Sequence, residues 1–202
     1  MSLRHSTRCI NIAVSLNDMQ NPFLVGKNVY LRTIAENDLN ANYREWFNDE
    51  EVCRYNSHHR FPNYDENMRD YYENVIKSRA NLILAICNKE TDAHIGNIAL
   101  ENIDTLNQSA EFAIIIGDKR EWGRGLGKEA GKLLIKHGFE QLNLNRIYCG
   151  TQGNNIGMQK LATSLGMKEE GRREQAMYKN GAYTDVIEYG LLRKDFSARS
   201  AV

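Results

Sequence analysis

The sequence predicts a single α/β domain in which helices cover both faces of a mixed, mostly antiparallel sheet. Strand-like and helix-like segments follow one another as β-α-α-β-β-β-α-β-α-β-β along the 202 residues. One strand–helix–strand unit therefore lies among strands that otherwise follow each other directly, which is typical of a mixed sheet. The length suits one domain with a substantial core, and no internal repeat divides it.

The composition excludes several classes of protein. Hydrophobic residues make up 42% of the chain and charged residues 26%, as in ordinary globular proteins. The 26 basic and 26 acidic residues balance, so no broad charged surface for nucleic acid or an anionic membrane is expected. The four cysteines are far apart and show no CxxC spacing, which argues against a zinc site and favours reduced thiols.

The two ends of the chain are predicted to lie outside the domain. Residues 1–22 are interpreted as a polar extension, residues 23–196 as the domain and residues 197–202 as a tail. The N-terminal apolar run INIAVSL is short and is interrupted by Asn11, so a signal peptide is disfavoured. No run reaches the roughly 18 apolar residues of a membrane helix. We therefore expect a cytoplasmic protein.

The first half of the domain is predicted to contain two helices. Residues 35–47 have helical spacing and a helix-start signal at Asn37 and Asp38. The stretch NYDE at 63–66 has the pattern of a capping box, and it predicts a second helix that reaches about Arg79. The strands of this half are predicted over 29–34, 82–87, 94–103 and 109–117.

The second half contains stronger local signals. A helix is predicted over 126–140 and a strand over 146–151. A second helix over 154–166 begins with asparagines and ends with a glycine, as helices often do. The pair Asn180-Gly181 predicts a tight hairpin turn between the last two strands.

A glycine-rich loop, KREWGRGLGKEAGKLL at 119–134, precedes the 126–140 helix. Glycines allow the backbone to turn and to approach a ligand closely, and the start of a helix binds phosphate through its free N–H groups. The loop is not a Walker loop, because Lys128 is followed by Glu129. It also lacks the GxGxxG spacing of dinucleotide-binding proteins. In the register Trp122–Gly127, the pattern [Q/R]xxGxG/A of acyl-CoA transferases fits except at its first position. The alternative to a phosphate-binding loop is a glycine-rich turn that binds no ligand.

The segment SAEFAIIIGDKREWGRGLGKEAGKLLIKHGFEQLNLNRIYCGT, with the later LGMKEEG and NGAYTD, resembles the GNAT superfamily of acetyl-CoA-dependent N-acetyltransferases. Within that superfamily it is most similar to the branch of ribosomal-protein N-terminal and spermidine acetyltransferases. The resemblance covers roughly residues 23–196. It implies that the fourth and fifth strands, SAEFAIIIG and RIYCGT, splay apart and that the thioester lies between them.

The resemblance also implies a binding site for acetyl-CoA. Backbone amides of the glycine loop would hold the pyrophosphate, and the strand before the loop would pair with the pantetheine arm. An asparagine at the start of the next helix would contact that arm, although capping its own helix is an equal alternative. The implied cofactor-binding residues are Ile114, Ile115, Ile116, Trp122, Gly123, Arg124, Gly125, Leu126, Gly127, Lys128 and Asn155.

The implied reaction is acetyl transfer to a primary amine. Such an amine is almost fully protonated at neutral pH, so the site must remove a proton at a cost of about 4–5 kcal/mol. Glu111 falls where many relatives carry a base, and the alternative is an ordinary strand carboxylate. The tyrosine that usually acts as acid would fall at Ala162, so Tyr178 or Tyr148 would have to replace it. Cys149 as a nucleophile is disfavoured, because no base is paired with it.

The acceptor is expected to lie among the N-terminal helices and the last hairpin. The candidate residues are polar, charged or aromatic: Trp46, Asn48, Asp49, Tyr55, His59, Arg60 and Asp185. The alternative interpretation is that the charged ones are ordinary solvated loop residues. The adjacent pair His58-His59 is not expected to bind a metal, since no further ligands stand at suitable spacing.

The sequence leaves the acceptor open. A mixed set of acidic, basic and aromatic residues favours a small amine, with a nucleotide-linked amino sugar first. A protein N-terminus and a polyamine are the alternatives, and a homodimer is compatible with each. Two readings of other classes also remain: a non-catalytic acyl-CoA-binding module, and a protein that binds nucleotide phosphates with the same loop.

Overall fold

The computed structural model describes residues 19–39 and 43–200, the last four of them without their side chains. Most of the predicted N-terminal extension and the end of the predicted tail lie outside the described residues. Within the described part, Met19 is buried against the domain.

Eight strands and six helices are described. The strands are β1 (Leu24–Val25), β2 (Val29–Thr33), β3 (Leu82–Asn88), β4 (His94–Asp104), β5 (Ser109–Ile116), β6 (Arg146–Gln152), β7 (Lys168–Lys179) and β8 (Ala182–Leu192). The α-helices are α1 (Glu36–Asp38), α2 (Arg44–Asn48), α3 (Asp65–Tyr71), α4 (Leu126–Glu140), α5 (Ile156–Leu165) and α6 (Arg193–Ser200). A π-helical turn, Tyr72–Ile76, extends α3, and a 3₁₀ turn, Lys119–Glu121, precedes the glycine loop.

The strands form one sheet in the order β1-β2-β3-β4-β5-β6-β8-β7. Every neighbouring pair is antiparallel except β5 and β6, which are parallel. The sheet begins with the two-residue strand β1 and ends with β7, an exposed and highly charged strand with two register shifts. The predicted mixed, mostly antiparallel α/β fold is confirmed.

The parallel pair β5 and β6 separates soon after it begins. Residues Ser109–Glu111 pair with Arg146–Tyr148, and no further pairs are found between the described parts of these strands. Both strands continue beyond this point, to Ile116 and to Gln152. The predicted splaying of the fourth and fifth long strands is therefore confirmed.

Two hydrophobic cores lie on opposite faces of the sheet because side chains alternate along each strand. On β5, Phe112 and Ile114 pack with α4 and α5, whereas Ala113 and Ile115 pack towards α2 and α3. The first core is built on Leu134, Ile135 and other apolar residues of α4. The sheet therefore separates a face covered by α4 from a face covered by the first three helices.

The first predicted helix is described at both of its ends. Helix α1 begins after Ala35 and α2 ends at Asn48, and residues 40–42 lie outside the described residues. Asp38 is buried and forms an ion pair with Arg32, whose Nη1 lies 2.6 Å from Asp38 Oδ2. Burial alone would raise the pKa of Asp38, but hydrogen bonds from Arg32 and His94 hold it below its ordinary value. Asp38 Oδ2 also accepts a hydrogen bond from the backbone N–H of Ala35 at 2.7 Å, so Asp38 caps the start of α1 as well as pairing with Arg32.

The capping box predicted at 63–66 is wrong, because the helix begins later and without a side-chain cap. Helix α3 begins after Tyr64, and no side chain caps it. The backbone N–H of Asn63 donates instead to Asn48 Oδ1 (3.0 Å), and its side-chain amide donates to the carbonyl of Phe47 (3.3 Å). Asn63 therefore ties the loop to the end of α2.

The local signals of the second half give the observed elements. Helix α4 has the predicted bounds, Leu126–Glu140. Asn155 caps α5 by accepting a hydrogen bond from the N–H of Met158, and Gly166 ends that helix at φ 99°. Asn180 and Gly181 form the hairpin turn, with φ angles of 51° and 80°.

Gly117, directly after β5, allows α2 to lie against the sheet. A Cβ atom at this position would lie 1.9 Å from Cδ2 of Trp46, whose indole is buried there. The ring of Trp46 also packs edge-on against His94 at 4.9 Å. Trp46 and Gly117 thus fix the distance between α2 and the end of β5.

We predict that Gly117→Ala lowers the free energy of unfolding by about 1–3 kcal/mol, because the indole of Trp46 must move. Urea denaturation would measure the change. Gly171→Ala is the matched control, since a Cβ there meets no atom within 4 Å. Equal stability of the two variants would contradict this account of Gly117.

Candidate active site

The main cleft opens where β5 and β6 separate, and it has a volume of about 810 Å³. One wall is β5, from Glu111 to Ile116, and the opposite side includes the end of β6 and the start of α5. The glycine loop and the first turn of α4 form one end. Most of the predicted cofactor-binding residues line it, namely Ile114, Ile115, Ile116, Trp122, Gly123, Gly125, Leu126, Gly127, Lys128 and Asn155.

The glycine loop has the conformation of an anion-binding loop. Gly123 and Gly125 have φ angles of 75° and 78°, which side chains other than glycine rarely adopt. A Cβ atom at either position would meet nothing within 4 Å, so both glycines border open space. Within the described residues, no backbone N–H from Gly123 to Lys128 donates to a protein acceptor. These N–H groups and the start of α4 suit a pyrophosphate.

The basic side chains around the loop differ in their availability. Arg124 contacts Glu121, with 2.6 Å between Nη1 and Oε2, and Arg120 contacts Asp118. Lys128 lines the main cleft. Arg124, although predicted to bind the cofactor, is therefore held by a neighbouring carboxylate, and its backbone is the part that borders the loop.

The wall formed by β5 suits an extended ligand. Beyond Glu111 the edge of β5 that faces β6 has no strand partner within the described chain, so its backbone polar groups border the main cleft. The indole N–H of Trp122 donates to the carbonyl of Ile116 at 2.8 Å and holds the loop against the end of the strand. Asn155 caps α5 and also lines the cleft, so both of its predicted roles are compatible with the geometry.

Glu111 lies at the point where the two strands separate. It is half-buried, it is opposite Glu101 of β4, and it belongs to the last parallel pair with Tyr148 of β6. Its Oε2 accepts a hydrogen bond from the side-chain amide of Asn102 at 3.3 Å. A carboxylate therefore lies beside the opening of the gap.

The two candidate tyrosines have different surroundings. Tyr178, near the end of β7, is half exposed, packs against the tilted ring of Tyr183 and does not line the main cleft. Tyr148 is half-buried beside Glu111; burial raises its pKa, and the carboxylate of Glu111 raises it further. Of the two, Tyr148 lies next to the carboxylate at the gap.

Ala162 and Cys149 are both core residues. Ala162, which replaces the tyrosine usual in the family, is fully buried. Cys149 lies against Met167, with 3.6 Å between the sulfur atoms, and burial raises its pKa to about 12. A thiol with so high a pKa contributes very little thiolate near neutral pH, which argues against a nucleophilic role.

Three of the predicted acceptor residues form structural contacts around α2. Trp46 packs on Gly117, and the side chain of Asn48 exchanges hydrogen bonds with the backbone of Asn63. Asp49 Oδ1 accepts hydrogen bonds from two backbone N–H groups of its own turn. Its Oδ2 forms an ion pair with Lys119 Nζ at 2.8 Å. The Lys119 contact and the backbone bonds lower the pKa of Asp49.

The other predicted acceptor residues are spread apart. Tyr55 lines the main cleft. His59 is exposed in the loop before α3, and Arg60 donates from Nη2 to the carbonyl of Tyr178 at 2.7 Å, which joins that loop to the last hairpin. Asp185 accepts from the N–H of Gln175 and contacts Arg172 at 3.1 Å within the hairpin.

A second cavity lies on the face covered by α2 and α3, and sequence analysis missed its residues. Its volume is about 170 Å³, and it shares Ala113, Ile114, Ile115 and Asn56 with the lining of the main cleft. Tyr43, Phe47 and Tyr71 cover it, together with His58 of the following loop. Glu101 and Asn97 of β4 line its floor.

The signal that could have revealed Glu101 is its register. Asn97, Ala99 and Glu101 alternate along β4 and therefore share one face, opposite Ile115, Ala113 and Glu111 of β5. Burial raises the pKa of Glu101, and the charge of Glu111 raises it further. Glu101 and Glu111 thus form a pair of carboxylates beside the gap.

The comparisons with known proteins agree with this geometry. A model of the acetyltransferase (GNAT) domain matches residues 28–168, so the chain belongs to the GNAT acetyltransferase family. The uncharacterized N-acetyltransferase p20 of Bacillus licheniformis is 31% identical over 157 residues, which cover 76% of this chain and 86% of that protein.

Two solved structures show the same fold. Spermidine N-acetyltransferase from Vibrio cholerae, in complex with CoA and spermine, has a TM-score of 0.78 at 23% identity and covers 85% of this chain and 99% of its own. A ribosomal L7/L12 alpha-N-protein acetyltransferase in complex with coenzyme A has a TM-score of 0.75 at 18% identity and covers 83% and 96%.

The protein is therefore an acyltransferase, an N-acetyltransferase whose donor is acetyl-CoA. The glycine loop and the unpaired edge of β5 fit such a donor. None of the helices within residues 19–39 and 43–200 has the length and apolar character that crossing a membrane requires.

Proposed function

We propose that the protein transfers the acetyl group directly from acetyl-CoA to a primary amine that carries positive charge before it reacts. The position of Glu111 carries this proposal: its carboxylate lines the main cleft where β5 and β6 separate. A second carboxylate, Glu101, stands opposite it. An ammonium group fits between two carboxylates better than an anion does.

The main cleft supplies the donor site in this proposal. The N–H groups of the loop from Gly123 to Lys128 hold the pyrophosphate, and the free edge of β5 pairs with the pantetheine arm. Asn155 contributes from the start of α5. When bound, acetyl-CoA supplies the acetyl group as a thioester that an amine can attack.

The proton chemistry belongs to residues beside the gap. Glu111 takes a proton from the acceptor ammonium, directly or through water, and so offsets the cost of about 4–5 kcal/mol of forming the neutral amine. Tyr148 Oη keeps its proton because its pKa is raised, and it can donate that proton into the gap. We favour Tyr148 over Tyr178 in this role, since Tyr148 pairs with Glu111 across the gap, whereas Tyr178 lies near the end of β7.

The acceptor in this proposal is a small cationic amine or a protein N-terminus. The solved structures of similar fold include a spermidine acetyltransferase and an acetyltransferase of a ribosomal-protein N-terminus. The nucleotide-linked amino sugar expected first from the sequence receives no support. Its phosphates would meet the carboxylates of Glu101 and Glu111, and Arg60 is directed to the hairpin instead.

Thiol release from acetyl-CoA across a panel of amines tests this function. The panel holds spermidine, peptides with free N-termini, an aminoglycoside and nucleotide-linked amino sugars. We expect turnover with a cationic amine or a peptide and none with the nucleotide-linked sugars. Coenzyme A binding without turnover on any amine would instead support a non-catalytic acyl-CoA-binding module.

We predict that Gly125→Glu weakens coenzyme A binding by on the order of a hundredfold or more, because the loop N–H groups lose their charged hydrogen bonds and meet a negative charge. Calorimetric titration would measure the affinity. Gly181→Glu is the matched control, since Gly181 has a similar φ of 80° in the hairpin turn. It should lose stability but keep its affinity, and unchanged binding in Gly125→Glu would refute the loop assignment.

We predict that Glu111→Gln lowers kcat by about a hundredfold with little change in acetyl-CoA affinity, because a base contributes to proton removal and not to donor binding. Steady-state kinetics with the best amine of the panel, and titration of coenzyme A, would separate the two effects. Equal kcat values for the variant and the wild type would remove Glu111 from the mechanism.

A further inference from the structure

The floor of the second cavity is shaped by small residues between two polar ones. Ala99 of β4 stands directly opposite Ala113 of β5, so neither strand fills the space above the sheet at this level. Along the same face of β4, Asn97 lies at one end and Glu101 at the other, and both line the cavity. The floor is thus a shallow channel with an amide at one end and a carboxylate at the other.

The cover of the channel is aromatic. Tyr43 and Phe47 come from the region of α2, and Tyr71 comes from α3. The rings of Tyr43 and Phe47 pack edge-on at 5.0 Å and are buried. Aromatic walls suit a slender carbon chain and also attract a cation that enters at the edge.

Basic side chains are scarce in the described lining of the channel: its histidine is His58, and burial lowers the pKa of that imidazole. Among the described residues that line the second cavity there is no lysine or arginine, and no ion pair of Glu101 or Glu111 is found within the described chain. The only described side-chain hydrogen bond of Glu111 comes from the neutral amide of Asn102. The two carboxylates therefore create a local negative potential that favours an ammonium group.

The amide end of the channel provides an independent observation. Asn97 is only 6% exposed, and its Oδ1 lies 2.9 Å from His94 Nε2. Its Nδ2 is buried and has no hydrogen-bond partner among the described residues. Buried amide donors are nearly always paired, so this atom marks a position where an acceptor atom of a ligand or a water is needed.

We propose that the second cavity binds the non-reacting body of the acceptor amine, with Glu101 and Glu111 sharing its ammonium group and Asn97 Nδ2 donating to an oxygen farther along the molecule. This inference rests on the proposed function and names its substrate class. The acceptor is a slender primary amine with an oxygen at its far end. Glu101 and Asn97 are then specificity-determining residues.

The dimensions of the channel limit the acceptor. The Cα atoms of Asn97 and Glu101 are about 13 Å apart along the strand, so an extended chain is needed to approach both side chains. The volume of about 170 Å³ admits one such chain but not a sugar attached to a nucleotide. The ammonium end lies beside Glu111, where β5 and β6 separate and where the main cleft begins.

Calorimetric titration of simple amines, with coenzyme A present, tests the inference without needing turnover. The probes are 3-aminopropan-1-ol through 6-aminohexan-1-ol, each paired with the alkylamine of the same length. We expect the longer amino alcohols to bind about tenfold more tightly than their alkylamines, because only they offer an oxygen to Asn97. Equal affinity within every pair would overturn the role of Asn97.

Two substitutions assign the effects to residues. Glu101→Gln should weaken the binding of both amines in each pair by about tenfold, since it removes a charge while keeping the shape of the side chain. Asn97→Leu should abolish the preference for the alcohols while leaving alkylamine binding unchanged. If Asn97→Leu does not fold, Glu101→Gln decides alone. Unaltered binding in Glu101→Gln would overturn the proposal.

The control variant is Glu169→Gln, which removes an exposed carboxylate from β7, away from both cavities. It should bind every probe as the wild type does, and coenzyme A affinity should be the same in all variants. If the probes bind as expected but neither they nor any amine of the panel is acetylated, the subsite is supported and the proposed function is refuted. If amines are acetylated at the same rate in the Glu101→Gln and Asn97→Leu variants as in the wild type, the proposed function is supported and the subsite is refuted.

Discussion

The separation of β5 from β6 is the constraint on which the site depends. Three residue pairs hold the strands together, and the strands then diverge in the middle of an otherwise continuous sheet. The pairing on their outer sides, with β4 and with β8, continues past this point. The sheet therefore keeps its rigidity while it exposes backbone polar groups in its interior, where a ligand can pair with them.

In the proposed mechanism, the alternation of side chains along β5 places the donor and the acceptor on opposite faces of the sheet. Ile114 and Ile116 face the side of α4 and its glycine loop, whereas Glu111 and Ala113 face the side of α2 and α3. A donor held by the loop and an acceptor held beneath the tyrosines can therefore meet only at the gap. Gly117 and Trp46 set how closely the acceptor face is covered.

The parts of the fold that depend on local sequence could be predicted, and those that depend on distant partners could not. The bounds of α4, the caps of α5 and the Asn180-Gly181 turn follow from short-range backbone rules. The pairing of Asp38 in α1 with Arg32 in β2 joins two different elements, and no local pattern shows it.

The same distinction applies to the candidate site. The glycine loop and Glu111 are carried by motifs, so sequence analysis could identify them as candidates. Glu101 looks like any strand carboxylate until the register of β4 and β5 sets it opposite Glu111. Asp49 looked like a free charge, but Lys119, seventy residues later in the chain, is its partner. Such pairings depend on tertiary structure.

The two edge strands of the sheet, which form its rims, differ from the interior gap in how readily another chain can pair with them. One rim is the two-residue strand β1, and the other is β7, which is charged, exposed and interrupted by two bulges. Short, charged or bulged rims discourage strand-by-strand addition of other chains. An extended molecule therefore pairs less readily with the outer strands of the sheet than with the free edge of β5 in its interior. The features that protect the protein from aggregation thus also favour binding of the ligand at the gap.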